Sequence, residues 1–416
     1  MSKSRGLGFV FLILIFAIIE YYAFTAIRFS IRNVKNPYKT SILVTYIAIT
    51  LLWFLSIAMF PVLRTMDMSK AMRNCLVSFS MGILITKILI AIILLIDDLR
   101  RGTTHLLSLF YNKETMPLVL EKGMSRSEFI NKFALLFGGT IFGTMLYGMS
   151  NRYNYTIKNI SLSFANLPKA FKGMKIVQIS DIHSGSLSDL TAVAKGIEKI
   201  NAINADAIFF TGDLVNNKSD EAEDFIPIFS KLKAKHGVFS ILGNHDYGDY
   251  VEWESKAHKK ANLERLKEIH KENGWRLLLD EHIVLEQEGE KIALIGVENT
   301  SFKNRFQTYG SLEKAYKGSE MHPFKILLSH DPSHWDGEIN SNYKDIDLTL
   351  SGHTHGFQFG IDIPWLKWSP VQYFYKQWAG LYQKDNQHLY VNRGFGFLGY
   401  PGRVGIMPEI TVIELV

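Results

Sequence analysis

The stretch Lys175-Ile-Val-Gln-Ile-Ser-Asp-Ile-His183 sets the reading of this chain. A short apolar run that stops on a carboxylate and an imidazole reads as a buried strand carrying two polar side chains at its carboxyl end. Apolar residues at helical spacing follow at Val193, Ile197, Ile200 and Ile203, and Ala207-Ile-Phe-Phe-Thr211 then makes a second buried strand that ends in Gly212-Asp213. Strand, helix and strand in that order form a β-α-β unit. The order repeats with an acidic helix from Asp220 to Lys233, a strand from Val238 to Leu242 ending in Gly243-Asn-His-Asp246, and a charged helix from Ala261 to Glu272. Upstream, Asn154 to Ser163 alternates apolar and polar residues as a strand does. Downstream, Ile283 to Val297 alternates around a Glu288-Gly-Glu290 turn, and further strands are expected at Phe324–Ser329, Leu348–Ser351, Leu389–Asn392 and Ile410–Leu415. The expected fold class of residues 151–416 is therefore α/β.

In α/β sheets the carboxyl ends of the strands gather at one edge, where ligands bind. Five of the strands end in metal-capable residues: Asp181 and His183, then Asp213, then Asn244, His245 and Asp246, then His330 and Asp331, then His353 and His355. One such residue is ordinarily a cap, but five successive ones describe a site. Carboxylates, imidazoles and an amide oxygen make a borderline-hard donor set for Mn, Fe or Zn, with enough ligands for two ions. Two ions about 3.5 to 4 Å apart can clamp a phosphoryl group and make a nucleophile of bound water. Gly212, Gly243 and Gly352 leave the backbone room to turn sharply there. A single cysteine, Cys75, excludes intrachain disulfides and thiolate metal clusters. The formal charge of +6 over 416 residues is too mild to argue for nucleic acid, and neither a nucleic-acid nor a protein partner is expected.

The ordered set D-x-H, GD, GNHD, H and GHxH resembles the calcineurin-like metallophosphoesterase family, over roughly Asn154 to the C-terminus. The Ser351-Gly-His-Thr-His-Gly356 and Tyr390-Val-Asn-Arg-Gly394 segments look most like its membrane-associated or exported branch, which includes enzymes that split UDP-diacylglucosamine. The resemblance implies two mixed β-sheets packed as a sandwich and flanked by helices. It also implies two divalent metal ions, and hydrolysis of a phosphodiester or pyrophosphate bond by metal-activated hydroxide. By motif, Asp181, His183 and His355 would hold one ion, Asn244, His330 and His353 the other, and Asp213 would bridge them. His245 would contact the phosphate and protonate the leaving group, oriented by Asp246. Phe357 departs from the branch, which tends to carry a second glycine there.

The first third of the chain is different. Leu7–Ile27, Ser41–Val62 and Leu76–Ile96 are each long and apolar enough to cross a hydrocarbon core of roughly 30 Å, and a shorter, Gly-rich Phe133–Met149 is read as a fourth span. Gly138, Gly139 and Gly143 would give that span a thin face for helix contact. No small-residue cleavage pattern follows the first segment, so residues 1–150 are expected to stay as a multi-pass region of the cell (inner) membrane. Glu20 and Lys87, the two charges inside these spans, lie at similar depth and are expected to pair. Arg28, Arg32, Lys35, Lys39, Arg100, Arg101, Lys113, Lys122 and Arg126 fall on one side, against Lys3, Arg5, Arg64, Lys70, Arg73, Arg152 and Lys158. That balance puts the C-terminal domain outside the cytoplasm. Ser125-Arg-Ser-Glu-Phe-Ile130 points the same way, because it resembles a twin-arginine export signal with Ser127 in place of the second arginine.

Some residues carry two readings. Arg393 and Gln358 suit substrate binding, Arg393 by gripping a second phosphate, whereas a strand-end arginine is as readily held by a surface carboxylate. Trp365, Trp368, Tyr373, Phe374, Tyr375, Trp378 and Tyr382, with Lys367 and Lys376, form either a lip at the level of lipid headgroups or ordinary loop packing. The function expected is a membrane-anchored phosphoesterase acting on a phosphoester or a lipid-linked pyrophosphate. Its alternative is a membrane sensor that binds a phospho-ligand without turnover, against which the His245-Asp246 pair argues. A transporter is disfavoured by the scarcity of intramembrane polar residues.

Overall fold

Four helices open the chain: α1 (Ser2–Ser30), α2 (Tyr38–Ala58), α3 (Lys70–Ser108) and α4 (Arg126–Gly148). The computed structural model describes residues 2–59, 68–108 and 126–416, and the chain divides into two units, Met1–Tyr147 and Gly148–Val416. Arg64, Lys113, Lys122, Ser125 and the end of the second span at Val62 lie outside the described residues. Within the described residues all four helices are long and apolar enough to cross a membrane. At 39 residues α3 outruns its apolar stretch, because the polar turn beyond Ile96 is held helical by Arg100–Asp97 and Arg101–Asp97 ion pairs at i,i+3 and i,i+4.

Glu20 and Lys87 pair at 2.6 Å, as their depth suggested. Tyr46 also donates to Glu20 (2.7 Å), Lys87 donates to Thr50 (2.8 Å), and the ammonium lies 5.0 Å from the Trp53 ring. Each charge therefore keeps partners in an apolar setting, which makes the cluster a fixer of helix register. Of the three glycines expected to make a contact face on α4, only Gly138 does. A methyl there would press on Ile90 and Thr86, whereas Gly139 and Gly143 face open space.

The second unit holds two six-stranded mixed sheets. In the first, β1 (Thr156–Leu162), β2 (Lys175–Ile179), β3 (Ala207–Phe210), β4 (Val238–Ser240), β5 (Trp275–Leu277) and β14 (Glu409–Leu415) run in the order β1-β14-β2-β3-β4-β5. The second contains β6 (Glu281–Gln287), β7 (Glu290–Gly296), β8 (Lys325–Leu328), β9 (Leu348–Ser351), β12 (Gly380–Lys384) and β13 (Gln387–Val391), in the order β12-β13-β9-β8-β7-β6. Within each sheet four strands are parallel, β2 to β5 in one and β7, β8, β9 and β13 in the other. Ile176, Phe209, Ile241, Leu294, Ile326 and Leu350 fill the layer between the sheets. Helices α5 (Leu190–Ala202) and α6 (Lys256–Glu272) cover the outer face of the first sheet through Val193, Ile197, Leu266 and Ile269. This is the sandwich of two mixed sheets that the resemblance implied.

Two local readings change. The acidic segment after Asp220 is a 3-10 turn, Ser219–Phe225, followed by one helical turn at Ile226–Phe229. Glu221 folds back to accept the amides of Asn216, Asn217 and Lys218, and Pro227 suits only the start of a helix. The charged helix begins earlier than Ala261, because Ser255 caps it by accepting the His258 amide.

Candidate metal centre

Asp181 and His183 leave β2, Asp213 leaves β3, Asn244 and His245 leave β4, His330 leaves β8, and His353 and His355 leave β9. Strands β2, β3 and β4 run parallel to one another in the first sheet and β8 runs parallel to β9 in the second, so their carboxyl ends open onto one floor. The floor is tied across the sheets by Gln178, the one buried polar residue in β2, whose amide donates to the Ser351 carbonyl (2.9 Å) and the Thr211 hydroxyl (3.2 Å). Asp181, His183, Asp213, His353 and His355 all adopt positive φ, from 50° to 72°. L-residues adopt that conformation at a cost of order 1–3 kcal/mol each, so their concentration here marks a site where ligand direction outranks backbone comfort. At Gly352 any β-carbon would run into Ser180 and the Asp181 carboxylate, which explains a glycine between the last two histidine-bearing positions and the strand.

The donors fall into two groups. Asp181, His183 and His355 form one and Asp213, His330 and His353 the other, with donor atoms within 4.8 Å of one another in each. The His183 and His355 Nε2 atoms face each other at 3.0 Å, and Asp181 Oδ1 lies 3.3 Å from His355 Nε2. Asp213 Oδ2 sits between the groups, 3.1 Å from His330 Nε2 and 3.6 Å from His183 Nε2. Asn244 joins the second group, its Oδ1 2.7 Å from His353 Nδ1, while its amide nitrogen donates to the Tyr250 hydroxyl and so turns the oxygen inward. His330 Nδ1 donates to the Thr211 carbonyl (2.7 Å), which leaves Nε2 as the inward lone pair. Facing imidazole lone pairs and a buried carboxylate within such distances suit divalent cations.

The protein groups alone show the same tension. Burial holds His183 down at about 3 and His353 at about 4, and pushes His355 well below its usual range. Burial, with the Asp213 charge added, raises Asp181 to about 6. Burial also works against charge on Asp213 and His330, yet their mutual attraction outweighs it, holding Asp213 well below the carboxylate range and raising His330 to about 10. The three site histidines that are neutral when folded and charged when unfolded below pH 6.5 outnumber the two carboxyls, Asp181 and Asp246, that burial raises to about 6 and about 7 and that take up a proton on folding. The unfolded chain then binds more protons, so chelator-treated protein is expected to lose stability as pH falls from about 6.5 towards 4. Melting temperatures recorded against pH in EDTA check this, and saturating divalent ion should flatten the upper part of the curve.

Two expected roles are revised by these contacts. Asp246 does not touch His245 among the described contacts; it is buried and accepts the amides of Asp213, Leu214, Val215 and Gly243, fastening the Asp213 loop to its own. His245 Nδ1 instead meets the Asn216 carbonyl at 2.7 Å, which leaves Nε2 for the cleft the ring lines. Arg393 is buried and held by carboxylates, the buried Glu409 and, at 3.1 Å, the partly exposed Asp362. Gln358 lines the cleft, but its amide is engaged, donating to the Tyr400 carbonyl (2.5 Å) and accepting from Leu398 N (2.6 Å). Neither is free to act as a substrate arm.

Sequence reading missed four contributors. Tyr375 accepts or donates at His353 Nε2 (2.9 Å) and reaches Asp331 (3.2 Å), so it links a candidate ligand to a buried carboxylate. Its place in a crowded aromatic run hid it. Tyr375→Phe is expected to lower metal affinity by about 10–100-fold with the fold intact, as calorimetric titration with manganese would read. Arg403, wholly buried, donates to the carbonyls of His355, Arg393, Gly394 and Gly396 and so staples the loop that carries His355. Lys303 and Arg305 reach the site from a loop with no strand-end signal. They line a cleft of about 670 Å³ over the histidines, whose other wall is Phe357, Val371, Tyr373, Phe374 and Leu398.

Carboxylates and imidazoles converging on paired sites beneath a cationic cleft, at the joined edge of two sheets, define a metal-dependent phosphoester hydrolase. Residues 5–152 match the family model described as a probable calcineurin-like phosphoesterase, transmembrane domain, and residues 174–357 match calcineurin-like phosphoesterase. Metallophosphoesterase YkuE of Bacillus subtilis is 31% identical over 308 residues, covering 71% of this chain and 98% of that protein. The transmembrane protein with metallophosphoesterase domain of Danio rerio is 27% identical over 278 residues, covering 65% of this chain and 60% of its own. Among solved structures, sulfate thiohydrolase SoxB of Thermus thermophilus aligns with 60% of this chain and 57% of its own, at 11% identity and a TM-score of 0.35. This chain belongs to the calcineurin-like metallophosphoesterases, is membrane-linked, and uses two divalent metal ions.

Proposed function

We propose that the chain hydrolyses a phosphodiester or pyrophosphate bond in a lipid-linked substrate at the outer face of the inner membrane, UDP-diacylglucosamine being one substrate of that class. The observation that carries this is the two-sided cleft, cationic at Lys303 and Arg305 and apolar at Phe357, Tyr373 and Phe374, above the two donor groups. Asp181, His183 and His355 would hold one ion, Asn244, His330 and His353 the other, with Asp213 between. Bound there, divalent ions supply Lewis acidity to a phosphoryl oxygen and activate water. The chain's own residues do the rest. His245, with Nδ1–H fixed on the Asn216 carbonyl, presents Nε2 to the cleft and gives its proton to the oxygen that leaves phosphorus. The broken bond is P–O, the hydroxyl of water stays on phosphorus, and solvent returns the proton to His245. Lys303 and Arg305 meet a second phosphate as charge-assisted donors.

The test compares a lipid pyrophosphate with a soluble phosphodiester, using detergent-purified wild type and His245→Ala with added manganese. Lipid turnover that disappears in the variant supports the reading; turnover of the soluble diester alone contradicts the lipid part and leaves the hydrolase. Replacing both Lys303 and Arg305 with alanine should raise KM for the pyrophosphate about tenfold or more, equivalent to 1.4 kcal/mol, with little change for a monophosphate diester.

A further inference from the structure

Strands β10 (Ile361–Ile363) and β11 (Leu366–Trp368) form a hairpin that pairs with no other strand among the described residues. Its register sets Ile361 opposite Trp368, Ile363 opposite Leu366 and Asp362 opposite Lys367. Successive strand residues point to opposite faces, so one face carries the charged pair and the other carries four apolar side chains. The charged face is the one tied to the rest of the domain, with Asp362 partly buried and Lys367 exposed. Asp362 meets Arg393 at 3.1 Å and Lys158 at 3.5 Å, while Lys367 donates to the Ala379 carbonyl and lies 4.9 Å from the Trp378 ring. The apolar face looks out: Ile361, Ile363 and Leu366 are exposed, and Trp365 at the tip is 81% exposed. This inverts the pattern of a strand pair built for water, and a lone hairpin has little stability to offset it.

The apolar face continues to the cleft. The Trp368 indole reaches the Tyr373 hydroxyl (3.4 Å), Tyr373 and Phe374 are 73% and 64% exposed, and the Phe374 ring packs edge-on against Phe357 at 6.0 Å. Phe357 holds φ at 52°, a conformation in which glycine would be unstrained, yet it presents an exposed ring. The crowded aromatic run thus splits: Tyr375 and Trp378 are buried, while Trp365, Tyr373 and Phe374 face outward. Exposed Lys303, Arg305 and Lys376 flank the outward rings. Aromatic rings edged by cations match the boundary of an anionic bilayer, where Trp and Tyr concentrate and lysines meet lipid phosphates. The same chain carries four helices long and apolar enough to cross a membrane, the last separated from β1 only by residues 149–155.

We propose that the outward face of the β10–β11 hairpin, with Tyr373 and Phe374, rests in the headgroup layer of an anionic bilayer. Docked in this way, the mouth of the cleft opens at the lipid surface, and the apolar wall at Phe357 continues the lipid phase towards the metal centre. The test uses the full chain in phosphatidylethanolamine–phosphatidylglycerol vesicles, with a nitroxide on Trp365→Cys or, for reference, Lys260→Cys on α6, each in a Cys75→Ser background. The label at position 365 should be shielded from a water-soluble nickel chelate and exposed to oxygen, while the label at 260 stays open to nickel. Equal nickel access at both positions overturns the proposal, as does dipolar broadening between labels at 365, which would mean that a second copy covers the face. A second reading comes from the triple substitution Ile363→Ser, Trp365→Ser, Leu366→Ser, which lies outside the cleft. It should keep turnover of a soluble diester and lose turnover of a vesicle-borne lipid substrate. This arm rests on the lipid-hydrolase reading, whereas label depth needs no turnover, so a failure of either is told apart.

Discussion

His245→Ala is expected to lower kcat by about 10²–10⁴-fold, the range for loss of a positioned proton donor, with two ions still bound. The reason lies in what the side chain touches. Its ring lines the cleft, its Nδ1 is committed to the Asn216 carbonyl, and it takes no part in either donor group. A leaving group that needs no proton should escape most of the loss. The deficit is therefore expected to be largest for an alkyl or sugar ester and to shrink for a p-nitrophenyl ester, with metal content unchanged in both assays. Equal losses on the two esters would assign His245 to phosphate binding instead. Asp246→Asn should behave differently, since Asp246 holds backbone amides of the Asp213 and Asn244 loops: its effect should appear as lost metal and lower melting temperature, without dependence on the leaving group.

Asp213→Asn is expected to reduce ion content to one or fewer per chain and to take turnover below detection. Among the described residues, Asp213 Oδ2 is the carboxylate oxygen that approaches both groups, and Oδ1 also accepts the His245 amide at 2.8 Å. An amide in that place removes the charge that balances two cations and, with its oxygen kept on the His245 N–H, turns an NH2 donor towards His183 and His330. In EDTA the same variant leaves His330 without its buried partner, and breaking a pair of that kind destabilises by up to about 3–5 kcal/mol. Metal analysis, turnover and melting temperature on one preparation separate these effects.

The site was legible where a strand ends and obscure where a loop folds back. Asp181, Asp213, Asn244, His330, His353 and His355 each follow an apolar run by one to five residues, so the alternation of strand and polar terminus carried them. Tyr375, Arg403, Lys303 and Arg305 follow no such run, and their positions depend on tertiary closure that spacing does not encode. The partner of His245 was misjudged for the same reason: adjacency suggested Asp246, but the side chain of Asp246 points down to four amides while a carbonyl from the neighbouring loop reaches the imidazole. Much of the fold followed from pattern, including the β2–α5–β3 unit and the β6–β7 hairpin. The division into two sheets did not, because parallel strands buried on both faces look alike whichever sheet they join. The short strands β5, β10, β11 and β12 were not foreseen; three to five residues are too few for alternation to stand out.

The most direct test of the central claim measures metal content and turnover together. Full-length protein, stripped with EDTA and titrated with manganese, would be assayed at each step against a broad panel of phosphodiesters and pyrophosphates. The account predicts two ions per chain in the wild type, turnover that appears as the second site fills, and neither in Asp213→Asn. Two ions bound with no ester in the panel hydrolysed would contradict it, and would recast the centre as a receptor for a phosphorylated ligand.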